Sequence, residues 1–349
     1  MECPEPRRDS TTSLVTVIGH LLVFGATSWR VSTEYHRARL FRMGKMARHP
    51  SDPPREDLQW AVSEVGQGAR ILKLQPMALS STAQHAIDVL DRSGRVHRLV
   101  LRRYVDSDRL ANDPWYRPEQ EVEALRIVAE ADIPAPQLVA EDAGARTCDV
   151  PTLLVTRIPG RPLGIRQVDL DRYLRQAAEV LHLIHAVESS QAARLPVYAP
   201  YEPPSTLSIP AWSDRPELWA RVMEVLAGPA PKDEGRFIHR DYHSGNILLA
   251  EGRITGVVDW PTACRGPRAI DVARMRLNLV GDFDASVAAR FLDLYGQVAD
   301  ADWGQEPYWD LLDAVDSAQD EARPRSSRQA EAWERYERWV ENAAAQLGR

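Results

Sequence analysis

Apolar and polar positions recur with two different periods along this chain, and the change of period divides it. From Asp57, "DLQWAVSEVG" spaces its apolar residues for one face of a helix, opening on an aspartate and closing on Gly66. "HAIDVLDRSGRVHRLVLRRY" (His85 to Tyr104) carries two apolar strands around "DRSG", and Gly94 supplies the permissive backbone of a β-hairpin turn. In the second strand Val100, Arg102 and Tyr104 share one face, while Leu99, Leu101 and Arg103 share the other. "PEQEVEALRIVAEAD" (Pro118 to Asp132) reads as a helix, with proline near its start and Val122, Leu125, Ile127 and Val128 on its apolar side. An extended "IPAPQLVAED" and a strand in "PTLLVTRIPG" follow, the latter ending at Pro159 and Gly160 in a candidate hinge.

Beyond the hinge the pattern is mostly helical. "DLDRYLRQAAEVLHLIHAV" (Asp169 to Val187) and "PELWARVMEVLAG" are amphipathic helices. Short strands are expected at Phe237–Ile238, Ile247–Leu249 and Ile254–Trp260, with helices from there to Arg349. The proline-rich "PVYAPYEPPS" (Pro196 to Ser205) reads as a loop over the second lobe, not a domain linker. No internal repeat is present. This order predicts an α+β fold of two lobes, the first small and β-rich, the second larger and helical, with a cleft between. The expected boundaries are an N-terminal extension over 1–55 outside the folded core, a first lobe over 56–157, and a second lobe over 158–349.

Composition narrows the classes. A net charge of −7 argues against a nucleic-acid-binding face. Cys3, Cys148 and Cys264 are too far apart for a zinc ribbon or a disulfide framework, so a reducing, cytoplasmic setting is expected. Of 43 basic residues only Lys45, Lys73 and Lys232 are lysines, which leaves few candidates for any role that calls for lysine. The apolar run Ser13 to Ala26, behind Arg7 and Arg8, superficially looks like a signal peptide. It is shorter than the roughly 20 apolar residues of a membrane span, is broken by Thr16 and His20, and lacks a cleavage site, so no membrane association is expected. Two readings of this segment stand side by side: a genuine accessory segment, or sequence upstream of a translation start near Met43 or Met46.

The chemistry is concentrated in "FIHRDYHSGNILL" (Phe237 to Leu249). A metal-hydrolase reading uses His239, Asp241 and His243, which would face one way on a strand, but leaves Asn246 and Asp259 unexplained. A plain polar turn explains neither the flanking strands nor Asp259. Phosphoryl transfer explains all of them: Asp241 precedes Asn246 by five residues, and Asp259 follows it by thirteen at the end of an apolar strand. One carboxylate accepts a hydroxyl proton, while an amide oxygen and a second carboxylate suit Mg²⁺, which prefers oxygen ligands and takes few from protein.

"HRDYHSGNILL" and "VVDW" resemble the catalytic and metal loops of the aminoglycoside phosphotransferase and choline kinase-like family, small-molecule phosphotransferases of protein-kinase-like fold. Protein kinases write H-R-D-L-x-x-x-N and D-F-G; here Tyr242, His243, Gly245 and Trp260 depart in the manner of the small-molecule branch. The resemblance covers about residues 57 to 280. It implies that Asp241 is the catalytic base, that Asn246 and Asp259 hold Mg²⁺, and that Asp271 in "RGPRAIDVARM" braces the catalytic loop. By register, Arg102 falls at the family's phosphate-binding lysine and Glu121 at its glutamate partner, and "LLVTRIPG" resembles the segment that holds adenine. Arginine in place of lysine brings a planar fork, not a compact ammonium, and can still pair bidentately with phosphate. "ALSSTAQH" (Ala78 to His85) has no glycine; Ser80, Ser81 and Thr82 are its candidates for phosphate contact.

His239 is expected to pack beneath the loop, and His243 either to brace it or to meet substrate. From Gly281 to Arg349 there are 15 acidic residues against 7 arginines, which fits either recognition of a cationic acceptor or solvated helical faces such as "AEAWERYERWV". The expected activity is transfer of the γ-phosphoryl of ATP or GTP to a hydroxyl of a small molecule, an aminoglycoside-type antibiotic being one candidate. The alternative, motivated by Arg102 and the missing glycines, is a nucleotide-binding pseudokinase acting as a regulatory module.

Overall fold

The computed structural model describes residues 53–77, 82–163, 169–233, 235–299, 303–304, 307–318 and 327–347. The expected N-terminal extension, with the alternative start at Met43 or Met46, therefore lies almost wholly outside the described residues, as do Ser80 and Ser81.

Helix α1 (Arg55–Val65) precedes a five-stranded antiparallel sheet in the order β1-β2-β3-β5-β4. Its strands are β1 (Arg70–Pro76), β2 (Ala83–Leu90), β3 (Val96–Arg103), β4 (Leu138–Asp142) and β5 (Thr152–Thr156). The hairpin read from the sequence is β2–β3, in continuous register from Ala83↔Arg103 to Leu90↔Val96. The β1 edge strand was not foreseen; its side chains are mostly exposed, so it lacks the alternation that marks a half-buried strand. Strand β3 serves two cores, as its two faces predict: Leu99 and Leu101 pack with Trp60 and Ala61 of α1, while Val100 and Tyr104 join the main core. Asp57 is not the cap of α1, which starts two residues earlier behind Pro54. Its carboxylate is buried and accepts from Arg103 Nε at 2.6 Å, and the Arg103 Nη2 also pairs with Asp149 at 2.8 Å, so the arginine joins helix and sheet.

Between β3 and β4 run a short helix α2 (Ser107–Asn112) and α3 (Pro118–Glu130), with proline at the start of α3 and Val122, Leu125, Ile127 and Val128 all buried. After β5 the chain passes Gly160, whose φ of +119° and 2.6 Å clearance between an added Cβ and the Leu249 carbonyl exclude a side chain. It then enters the two-residue strand β6 (Arg161–Pro162).

The rest is helical, with α4 (Leu170–His185), α5 (Pro216–Leu226), α6 (Arg268–Asp282), α7 (Ala285–Val298), α8 (Pro307–Ala318) and α9 (Ser327–Leu347). Strands β7 (Arg236–Ile238), β8 (Ile247–Ala250), β9 (Arg253–Val257) and β10 (Cys264–Gly266) are inserted before α6. Strand β8 pairs with β6 and β9, and β7 with β10. The strand expected to reach Trp260 ends at Val257, because Asp259 turns into the left-handed region at φ +71°. In α9, Glu331, Glu334 and Arg338 face solvent as its charge pattern suggests, but Glu337 is buried and accepts the Trp219 indole N–H at 2.9 Å. The chain is thus α+β, an antiparallel sheet followed by a helical region, as expected.

Candidate active site

The loop between β7 and β8 is held from below by Asp271 in the first turn of α6. This carboxylate is fully buried and accepts two successive backbone N–H groups, His239 at 2.8 Å and Arg240 at 2.6 Å. His185, on α4, donates Nε2–H to it at 3.0 Å and accepts the Tyr295 hydroxyl at Nδ1, 2.6 Å away. Burial lowers the His185 pKa against the pull of Asp271, which favours the neutral ring. So anchored, the backbone passes Arg240 at φ +69°, a conformation that costs a non-glycine residue energy and is kept only where the surroundings over-determine it.

His239 fixes the next distance. Its Nδ1 accepts the Asp241 N–H at 3.2 Å and its Nε2 donates to the Val258 carbonyl at 3.1 Å. The ring packs 4.5 Å from the Trp260 ring, and burial again lowers its pKa. Asn246 supplies a second link: its Nδ2 donates to the Asp241 carbonyl at 2.9 Å and to Asp241 Oδ2 at 3.0 Å, and its own carbonyl accepts the Val258 N–H at 2.9 Å. Asp241 is thereby oriented, and Oδ1 of Asn246 is left as the amide's acceptor. His243 accepts the Gly245 N–H at 3.0 Å and brings Nε2 to 3.5 Å from Asp241 Oδ2. It braces the loop and touches the carboxylate at once.

Asp259 meets the sheet through Arg102. The guanidinium Nη2 lies 2.9 Å from Asp259 Oδ1 and 3.1 Å from Glu121 Oε1, and Tyr104 donates its hydroxyl to Glu121 Oε2 at 2.5 Å. Burial opposes the charge on Arg102, but Glu121 and Asp259 outweigh it and raise the pKa further. Asp241, Asn246, Asp259, Arg102 and Glu121 are therefore one connected network. Thr82 is buried at the entry to β2, and its hydroxyl accepts a hydrogen bond from Gln84 Nε2 at 3.2 Å.

Sequence reasoning missed His185, one polar residue on an otherwise amphipathic helix with no local signal. It also missed the setting of Arg240, whose guanidinium carbon sits 3.5 Å from the Trp115 ring centroid and 3.8 Å from that of Tyr201. The loop from Pro196 lies over this residue, and Ala199 accepts from Arg240 Nη2 at 2.7 Å. The acidic C-terminal part enters here as well: Asp313 of α8 pairs with Arg274 of α6 at 2.9 Å, and Arg274 Nε lies 3.7 Å from Asp241 Oδ1.

Among the described residues no group of three or more His, Cys, Asp or Glu could hold a metal ion. Asn246 and Asp259 carry oxygen donors of the type Mg²⁺ prefers.

Over residues 59–309 the sequence matches the APH phosphotransferase enzyme family. The chain belongs to that family. Among APH relatives and neighbours, homoserine kinase of Methylorubrum populi is 27% identical over 157 residues, 42% of this chain and 48% of that protein, so the chain spans about half the length of that curated relative. A Ralstonia eutropha protein provisionally named an aminoglycoside phosphotransferase superposes with a TM-score of 0.58 at 15% identity, over 84% of this chain and 98% of that one. A thermostable mutant of aminoglycoside phosphotransferase APH(4)-Ia, in ternary complex with AMP-PNP and hygromycin B, gives 0.51 at 16% identity, over 84% and 98%. At these identities the likeness is one of fold, and the fold is the two-lobed, kinase-like APH fold. Among the described residues no helix is long and apolar enough to cross a membrane.

Proposed function

We propose that the chain transfers the γ-phosphoryl group of ATP or GTP to a hydroxyl of a small molecule, with residues 56–157 holding the nucleotide and 158–349 the acceptor. The observation that carries this reading is the double tie between Asp241 and the Asp259 segment through His239 and Asn246. It supports a fixed separation between a proton-accepting carboxylate and a second carboxylate suited to the phosphates. Asp241 orients the acceptor hydroxyl and takes its proton; Asn246 and Glu121 hold their neighbours in place. Bound Mg²⁺ would supply charge neutralisation at the phosphates through Asn246 and Asp259. Arg102 also has a buried Nε without a partner among the described residues, a donor that suits an α- or β-phosphate oxygen. With a loose transition state, alignment and electrostatics are the whole of the protein's task.

Asp241→Asn keeps the shape and removes the proton acceptor. Turnover is expected to fall about 10²- to 10⁴-fold, with nucleotide binding retained by calorimetry. Full turnover in that variant would refute the assignment. The pseudokinase reading draws on one observation, that Asp259 is already ion-paired with Arg102; nucleotide binding with no turnover on any acceptor would favour it.

A further inference from the structure

Arg240 occupies a backbone position that suits a glycine. Its φ of +69° lies in the left-handed region, which glycine adopts freely and arginine only at a cost. The side chain kept there in spite of that cost is buried and joins three segments. Its guanidinium carbon lies 3.5 Å from the Trp115 ring centroid and 3.8 Å from that of Tyr201, and Nη2 donates to the Ala199 carbonyl at 2.7 Å. The two rings are 6.4 Å apart and 70° to one another. Tyr201 and Ala199 belong to the loop from Pro196, and Trp115 to the segment that enters α3. That segment is stiffly held. The Trp115 N–H donates to Asp113 Oδ1 at 2.9 Å, Asp113 pairs with Arg109 at 2.7 Å, and the Tyr116 ring packs 4.9 Å from that of Tyr104.

The start of α3 is therefore tied to the catalytic segment at two points, Trp115 and Glu121. One tie is Arg240, the chain neighbour of Asp241; the other is Arg102, which bridges Glu121 and Asp259. A single tie leaves a pivot, whereas two fix an orientation. The two also differ in chemistry. Incoming phosphate competes with the carboxylates for the donors of Arg102, but a buried guanidinium stacked on rings has no such competitor. We propose that Arg240 is a positioning residue for phosphoryl transfer. Its stack on Trp115 and Tyr201 holds α3 and the loop from Pro196 against the catalytic loop, and keeps Asp241 in register with Arg102 while a nucleotide engages Arg102. The proposal rests on the phosphotransferase reading and adds to it a residue that acts through others.

The test compares the whole chain with its variants Arg240→Gly, Trp115→Leu and Trp115→Phe, and with the double variant Arg240→Gly/Trp115→Leu. Release of ADP and GDP from ATP and GTP is measured with water, amino alcohols, sugars and aminoglycosides as acceptors, and the fastest arm serves for all variants. Glycine suits the backbone at position 240, so Arg240→Gly should stay folded, as urea unfolding checks. Per folded molecule its kcat should fall about 10- to 100-fold, with the dissociation constant for Mg·ADP within about threefold of that of the unaltered protein. Hydrogen exchange of the amides over 115–121, distant from the substitution in sequence, should rise about tenfold in the same variant. Trp115→Leu should reproduce both effects. Trp115→Phe, which restores a ring face, should recover most of the turnover, and the double variant should be no worse than either single change. Unchanged kcat or unchanged exchange in Arg240→Gly would overturn the proposal and leave phosphoryl transfer standing, and so would additive losses in the double variant. Should Trp115→Leu fail to fold, Arg240→Gly decides alone. No ADP or GDP release by the unaltered protein in any arm would overturn the phosphotransferase reading and this proposal with it.

Discussion

Two buried arginines flank the cleft and are treated in opposite ways. Arg102 has its charge matched by two carboxylates, Glu121 and Asp259, from a helix and a loop that the pairing draws together. Arg240, equally buried, rests on Trp115 and Tyr201 and donates to the Ala199 backbone carbonyl. A guanidinium tolerates both settings because it is planar, weakly hydrated and always charged. The difference is one of means: Arg102 ties helix and loop together by charge, while Arg240 is seated on aromatic faces and a loop carbonyl.

Breaking the first arginine should have the larger effect. Arg102→Met strands Glu121 and Asp259 without their counter-charge, and is expected to cost about 3–5 kcal/mol in denaturant unfolding, along with nucleotide affinity. A loss below about 1 kcal/mol would show that the triad is not a structural link. Next comes Asp313, the partner of Arg274. Because the folded pKa of Asp313 is raised to about 7 from its ordinary 3.8, its contribution to stability is fully present below about pH 4 and lost as pH rises through about 7. The groups that set this are Arg274, which opposes the shift, and Asp316, Asp241 and Asp310, which reinforce it. Asp313→Asn should flatten that part of the pH–stability curve, read from thermal melts between pH 4 and 8; an unchanged slope would refute the assignment.

Arg102→Lys sharpens the comparison further. It keeps the charge and loses the planar fork, so a stability change of about 1 kcal/mol is expected, with a measurable change in nucleotide KM. The smallest effect belongs to an arginine at the surface: Arg215→Ala removes the exposed pair with Glu341 and should change stability by no more than about 1 kcal/mol.

How much of this was legible in the sequence follows the same division. The meeting of Asp241, Asn246 and the Asp259 segment could be expected because they lie close in sequence, and the bracing by Asp271 because it sits in the next local element. Arg102 and Glu121 needed only the register of one strand and one helix, and both sides of β3 behave as its alternation indicates. His185, the aromatic seat of Arg240 and the Arg274–Asp313 pair join segments far apart in sequence, and no local pattern announces them. Strands β6 and β10 are two and three residues long, too short for any periodicity. Glu337 looked solvated because its spacing is that of a surface helix; only the arrival of Trp219 from α5 makes that face an interior one.

His239 is an uncharged strut. Its ring spans from the backbone of Asp241 to that of Val258 by one accepted and one donated hydrogen bond, which only the neutral form with hydrogen on Nε2 can make. Burial holds it in that form below the usual histidine range. The gap between the two loops is therefore set by a rigid heterocycle that brings no charge of its own to the cleft. The distance between the Asp241 and Val258 backbones is thereby set by one flat ring held at both nitrogens.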